Sequence, residues 1–203
     1  SWSGMKAYVV RVESWAKKLD GGAASGPWQN YIYRQMSNPF TRYMRDRERL
    51  VRKMHDLLVK LPMPDGTIDG SSTIGHVFSG MSELLGAMLH TGNQSSLRKL
   101  LLGYEWGTES VASGAPVLDR SRWDDFIQQK IAEGRLTKEH FDFVQAMWDL
   151  NEELKPIAQK VNKELHEVYF KEIEAQSFET PWGTYRGGYA PAPPDRDHPK
   201  NGN

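Results

Sequence analysis

Apolar residues recur along this chain at intervals of three and four, and strand-like alternation is nearly absent. Tyr8, Val9, Val12, Trp15, Ala16 and Leu19 keep that spacing until Gly21-Gly22 interrupts it. From Gly22 to Pro39 the chain reads as loop, with Gly, Ser and Pro set among Trp28, Tyr31 and Tyr33. Thr41 to Leu61 predicts a stronger helix, striped by Leu50, Val51, Met54, Leu57, Leu58 and Leu61 and ended by the prolines and glycines of 62–70. Ser72 or Thr73 can cap the next one. On it Ile74, Val77, Phe78, Met81, Leu84, Leu85 and Met88 repeat an i, i+3, i+4, i+7 pattern.

A tight polar turn, His90-Thr91-Gly92-Asn93, follows that stripe. Gly92 stands where a helix end favours left-handed backbone, and Asn93 where a side-chain cap serves a second helix bearing Leu97, Leu100 and Leu101. The two helices read as a hairpin with a very short connection. Gly103 to Pro116 reads as another loop. Ser121 to Asp124 opens a helix, with the Asp124 carboxylate near its free N–H groups. Trp123, Phe126, Ile127 and Ile131 form its buried side, and Gly134 stops it. Thr137 caps the longest helix, predicted from Lys138 to Glu174, which Pro156 is expected to kink or split. Beyond Ser177 the helical pattern stops, and Phe178–Thr180 and Thr184–Arg186 flank Pro181-Trp182-Gly183 as a short hairpin or extended arm.

The pattern therefore predicts an all-α fold, an irregular bundle of about six helices with a C-terminal extended arm or small hairpin. Residues 1–176 form the helical domain, 177–191 a packed C-terminal arm, and 192–203, rich in Pro, Asp and Asn, a linker or tail. Length agrees, since 203 residues suit one domain with a trailing arm. Twenty-six basic residues balance twenty-six acidic ones, so no global field draws in nucleic acid or an anionic membrane. The absence of cysteine excludes disulfides, thiolate metal ligands and a Cys nucleophile. No apolar run approaches the ~18 residues of a membrane span, and the N-terminus lacks a signal-peptide pattern. Ser1 in place of Met suits an excised domain or a tag remnant.

Candidate chemistry is sparse. A catalytic reading would combine His90 with Glu83 and Asn93. The structural reading gives Gly92 and Asn93 capping roles and sets His90 against the last helix carbonyls. One His within a cap does not supply nucleophile, base and orienter together, so the structural reading is preferred. The six histidines stand at least 14 residues apart, with no zinc-type spacing and no HExxH. Neither a metal site nor a cofactor is expected. Glu152, Glu153, Glu164, Glu167, Glu172 and Glu174 alternate with lysines as a solvated helix face does. Arg42, Arg45, Arg49 and Arg52 can share one helix face. A phosphate-contacting surface along Arg42–Lys53 is the nucleic-acid-binding alternative, and an exposed, internally paired helix is the simpler reading. Trp182, Gly183, Tyr185, Gly187, Gly188 and Tyr189 combine aromatics with glycines, as in an arm laid closely across helices.

Three stretches carry a resemblance. They are Leu84 to Asn93 with the Arg98–Gly103 run behind it, Trp148-Asp149-Leu150-Asn151 with Leu154-Lys155-Pro156, and Thr180 to Pro191. In this order they resemble a helical module of the large polyvalent proteins of bacteriophages and conjugative elements, over about Thr41 to Pro191. The resemblance brings no catalytic residues. It implies a non-enzymatic structural or interaction module in a virion-associated protein of a mobile genetic element, delivered with DNA into the host cytoplasm. The implied partners are other domains of the parent chain or virion proteins. The alternatives are a nucleic-acid-binding module using Arg42–Lys53, or an enzyme with a site around His90.

Overall fold

The computed structural model of the chain describes residues 13–22, 26, 28–29, 47–161 and 174–190, with side chains left out at 47–51 and 154–161. Residues 13–19 are helical and bury Ala16 and Leu19. Among the described residues five longer helices follow, here α1 (Arg47–Val59), α2 (Met81–Leu89), α3 (Gln94–Gly103), α4 (Ser121–Ala132) and α5 (Lys138–Val161). Helix α2 is apolar almost all round, and Met81, Leu84, Leu85, Ala87, Met88 and Leu89 are all buried. A helix with that pattern belongs inside. Helix α5 packs on it and on α1, contributing Phe141, Phe143, Val144, Met147 and Trp148 to the core. The long helix runs unbroken through Pro156 to Val161, so the predicted split at that proline does not occur. Residues 162–173, the predicted remainder of the helix, lie outside the described residues.

The all-α expectation is overturned by three antiparallel hairpins, which make the fold mixed helix and sheet. Strands β1 (Ile68–Gly70) and β2 (His76–Phe78) form the first, β3 (Thr108–Ala112) and β4 (Ala115–Asp119) the second, β5 (Phe178–Thr180) and β6 (Gly183–Tyr185) the third. Ile74, Val77 and Phe78 have helical spacing, but Gly75 turns the chain at φ 71° and α2 does not start until Met81. Phe78 instead sits opposite Ile68, and both side chains are buried. In the second hairpin Ser113 and Gly114 take φ 53° and 76°, the left-handed pair that a two-residue hairpin turn needs. Both of its strands are largely exposed, so neither shows the half-buried alternation by which strands are recognised. Pro116 in β4 has no N–H to offer a further strand, which protects an open edge.

Aromatic rings tie the hairpins to the helices. Trp106, just before β3, stacks on Trp123 of α4 with centroids 5.6 Å apart, while Phe78 of β2 stacks on Phe126 at 5.4 Å. Gly134, at φ 71°, ends α4, and the N–H groups of Arg135 and Leu136 return to the Lys130 carbonyl.

Helix α5 begins with a histidine-based cap. His140 Nδ1 accepts from the Thr137 N–H at 3.0 Å, so its neutral ring carries the proton on Nε2 and donates to the Pro62 carbonyl at 2.8 Å. Burial lowers the His140 pKa more than the Pro62 carbonyl and the Glu139 charge raise it. A second proton would have to go on Nδ1, where it would meet the Thr137 N–H. The sign follows: with the folded pKa below the unfolded value of about 6.5, the unfolded chain binds more protons, so stability is lost as pH falls through and below that value. Urea denaturation at pH 7.5, 6.5 and 5.5 should show a falling free energy, and His140→Gln should make that fall shallower. An unchanged slope in the variant would remove His140 from the account.

Candidate functional site

The turn at 90–93 and the C-terminal arm, far apart in sequence, meet at one junction. Gly92 contributes its carbonyl, which accepts from the Gln176 N–H at 2.8 Å and the Gly188 N–H at 2.9 Å. Asn93 is fully buried. Its Oδ1 caps α3 by accepting from the Ser96 N–H at 2.8 Å, and its Nδ2 donates to the Gly188 carbonyl at 3.1 Å. Thr91 Oγ1 donates to the Met88 carbonyl at 2.7 Å, and Trp148 Nε1 donates to the Leu89 carbonyl at 3.0 Å. The Leu89 carbonyl at the end of α2 is thereby satisfied, and the Met88 carbonyl, which already accepts from the Thr91 N–H at 3.1 Å, gains a second donor.

Glycine is required here for a reason other than the one the sequence suggests. Gly92 does not have positive φ, so the expected left-handed helix end is absent at that residue. Instead, a Cβ on Gly92 would lie 2.5 Å from the Gly188 oxygen and 2.7 Å from Trp148 Cε2. On Gly187 it would strike the Gln176 and Gly92 carbonyls, and on Gly188 the Trp148 side chain. Two backbones and an indole are in contact with no room for a side chain between them. Gly187, at φ 78°, combines this crowding with left-handed backbone.

Helix α5 holds the rest of the arm. Gln145 forms a reciprocal pair with Gly187, donating to its carbonyl and accepting its N–H, each at 3.1 Å. One turn on from Gln145, Asp149 pairs with Arg186 at 2.8 Å, and two residues further Asn151 Nδ2 donates to the Tyr189 carbonyl at 2.6 Å. The Tyr185 hydroxyl donates to Asp142 Oδ1 at 2.7 Å. Burial, together with that bond and the carboxylate charge, pushes the phenol well above its ordinary range, so it remains a donor at any working pH. Trp182 lies against Phe141 but stays partly exposed, and Gly183 closes the β5–β6 turn region at φ 120°.

Sequence reasoning missed Gln145 and Asp142. Asn151, a buried amide interrupting an otherwise apolar stripe, was the available signal that something polar docks on that side.

The catalytic alternative does not assemble. Glu83 accepts from the Ser79 N–H and hydroxyl and pairs with His76 Nε2 at 3.0 Å, not with His90. Burial pushes its carboxyl up, but the Ser79 backbone, the His76 ring and the Ser79 hydroxyl together hold it below its ordinary value. His90 is the residue closing α2, and burial lowers its pKa, which leaves the ring neutral near pH 7. Asn93 has both amide ends engaged in the fold. Of the basic face, Arg42 and Arg45 lie outside the described residues and the Arg49 side chain is not described. Arg52 is exposed, and the neighbouring Lys53 pairs with Glu153 of α5 at 2.8 Å. Among the described residues no group of His, Asp and Glu is placed to hold a metal ion, and no helix is long and apolar enough to cross a membrane. Comparison with known protein families, curated proteins and solved structures gives no match.

Proposed function

We propose that this chain is a non-enzymatic structural and interaction module of a large polyvalent protein of a bacteriophage or conjugative element, carried with DNA into the host cell. One observation supports this reading above the others. Three stretches carry the resemblance, and side chains or backbone groups from each of them (Gly92 and Asn93, Trp148 and Asn151, Gly187 to Tyr189) converge on a single buried junction. There they are engaged by packing and backbone hydrogen bonds, and no polar group among them is left over for a reaction. A signature taken up in this way specifies a fold that can be inserted between other domains, and the partners are then those domains or proteins of the particle.

Sequencing the genomic surroundings tests the reading. The expected result is one long reading frame continuing past both ends of this segment, inside a phage or conjugative element. Deleting the module from that parent should leave the specific activity of its catalytic domains unchanged while its assembly into particles falls. A free-standing gene among chromosomal metabolic genes would overturn the proposal.

A further inference from the structure

Beside the junction, α4, α5 and the arm enclose a cleft of about 650 Å³. That volume lies within the ordinary range for small-molecule sites. Its walls are Trp123 and Ile127 from α4, Phe141 and Trp148 from α5, and Phe178 from β5. The rings differ in orientation, Phe178 lying edge-on to Trp148 and tilted to Phe141, so the apolar lining is not one flat face. At the mouth Arg120 and Asp124 pair with each other at 2.9 Å, and Glu179 keeps its charge while accepting from the Thr184 hydroxyl, so the lining offers an anionic guest no unpaired cation.

A separate observation gives the polar requirement. Gln176 lines the cleft, and its Oε1 is a buried acceptor with no hydrogen-bond partner among the described residues. Native folds leave few such groups, and each asks for a donor. Its backbone N–H is fixed on the Gly92 carbonyl, so the side chain is held at the cleft while the terminal amide can still turn.

We propose that this cleft binds an uncharged, planar aromatic small molecule bearing one N–H or O–H donor, with the aromatic walls taking the ring and Gln176 Oε1 taking the proton. This site is independent of the module's proposed origin. It also depends on the arm, because β5 forms one wall and the glycine junction holds β5 in place.

Indole and indene make a matched pair of probes, alike in shape but differing in the donor. Calorimetric titration of the full chain should show indole binding more tightly than indene by about fivefold, the effect of one hydrogen bond. Gln176→Leu should abolish that preference while retaining binding of both. Ala132→Trp, at an exposed position on the rim, should weaken both probes at least about tenfold without altering the circular dichroism spectrum, by filling space the guest requires. The proposal is overturned if neither probe binds at millimolar concentration, if the two bind equally to the unmodified chain, or if Ala132→Trp has no effect.

Discussion

Gly92→Ala should destabilise the fold by about 3–5 kcal/mol, whereas Gly86→Ala should be neutral or stabilise it by up to about 1 kcal/mol. The difference lies in what each new methyl group meets. At Gly92 it lies 2.5 Å and 2.7 Å from backbone atoms of Gly188 and 2.7 Å from the Trp148 indole, none of them the free end of a flexible side chain. Relief requires the arm to move away, which breaks both hydrogen bonds to the Gly92 carbonyl and uncovers the Asn93 amide. Overpacking of this kind costs about 1–3 kcal/mol, and each lost hydrogen bond adds about 1 kcal/mol. Gly86 lies inside α2, where an added Cβ would stand 3.8 Å from Trp28 Nε1, an ordinary contact. There alanine is simply the better helix former. Urea denaturation of both variants measures the contrast, and equal midpoints would refute the role assigned to the junction.

Ending the chain after Glu174 should lower the thermal midpoint by roughly 10–20 °C, whereas ending it after Pro191 should change it by no more than about 2 °C. The shorter truncation removes Tyr185, Phe178 and the buried Ala190, with every hydrogen bond the arm makes to Gln145, Asn151, Asp142 and Gly92. It also exposes Trp148 and Phe141, whose rings pack against Phe178 and Tyr185. One large side chain is worth about 1.5–3 kcal/mol when fully buried, so the arm contributes about 5 kcal/mol, a large share of an ordinary domain's stability. The longer truncation leaves every described contact intact. Calorimetry of the two proteins decides between an integral arm and a linker, and identical midpoints would establish the linker.

Legibility followed burial. Helices α3, α4 and α5 were readable because each has a buried stripe at helical spacing, α2 because it is apolar nearly all round, and Asn93 was readable as a cap because its chemistry is local. The β3–β4 hairpin was hidden because exposed strands carry no hydrophobic alternation, and only Ser113-Gly114 marked its turn. At β2 the apolar residues happened to match a helical period, and the decisive residue was Gly75. In the junction, the sequence marked Gly92, Gly187 and Gly188 as unusual without showing that they touch. Only contacts made across 95 residues, as between Asn93 and Gly188, supply that reason. Gln145 was unreadable for the same cause, since its partner is a distant backbone with no side chain of its own.

That separation also orders events during synthesis. The corner at 90–93 and the docking side of α5 leave the ribosome before the arm that will cover them exists. Until residue 176 emerges the Gly92 carbonyl has only water, and until residue 188 emerges the Trp148 side chain lacks the glycine backbone that covers it. Contacts this distant in sequence form late and slowly. Closure of the junction is thus among the last steps of folding: a chain interrupted between Val161 and Gln176 already holds all five numbered helices yet lacks the arm's hydrogen bonds to Gly92, Asn93 and α5.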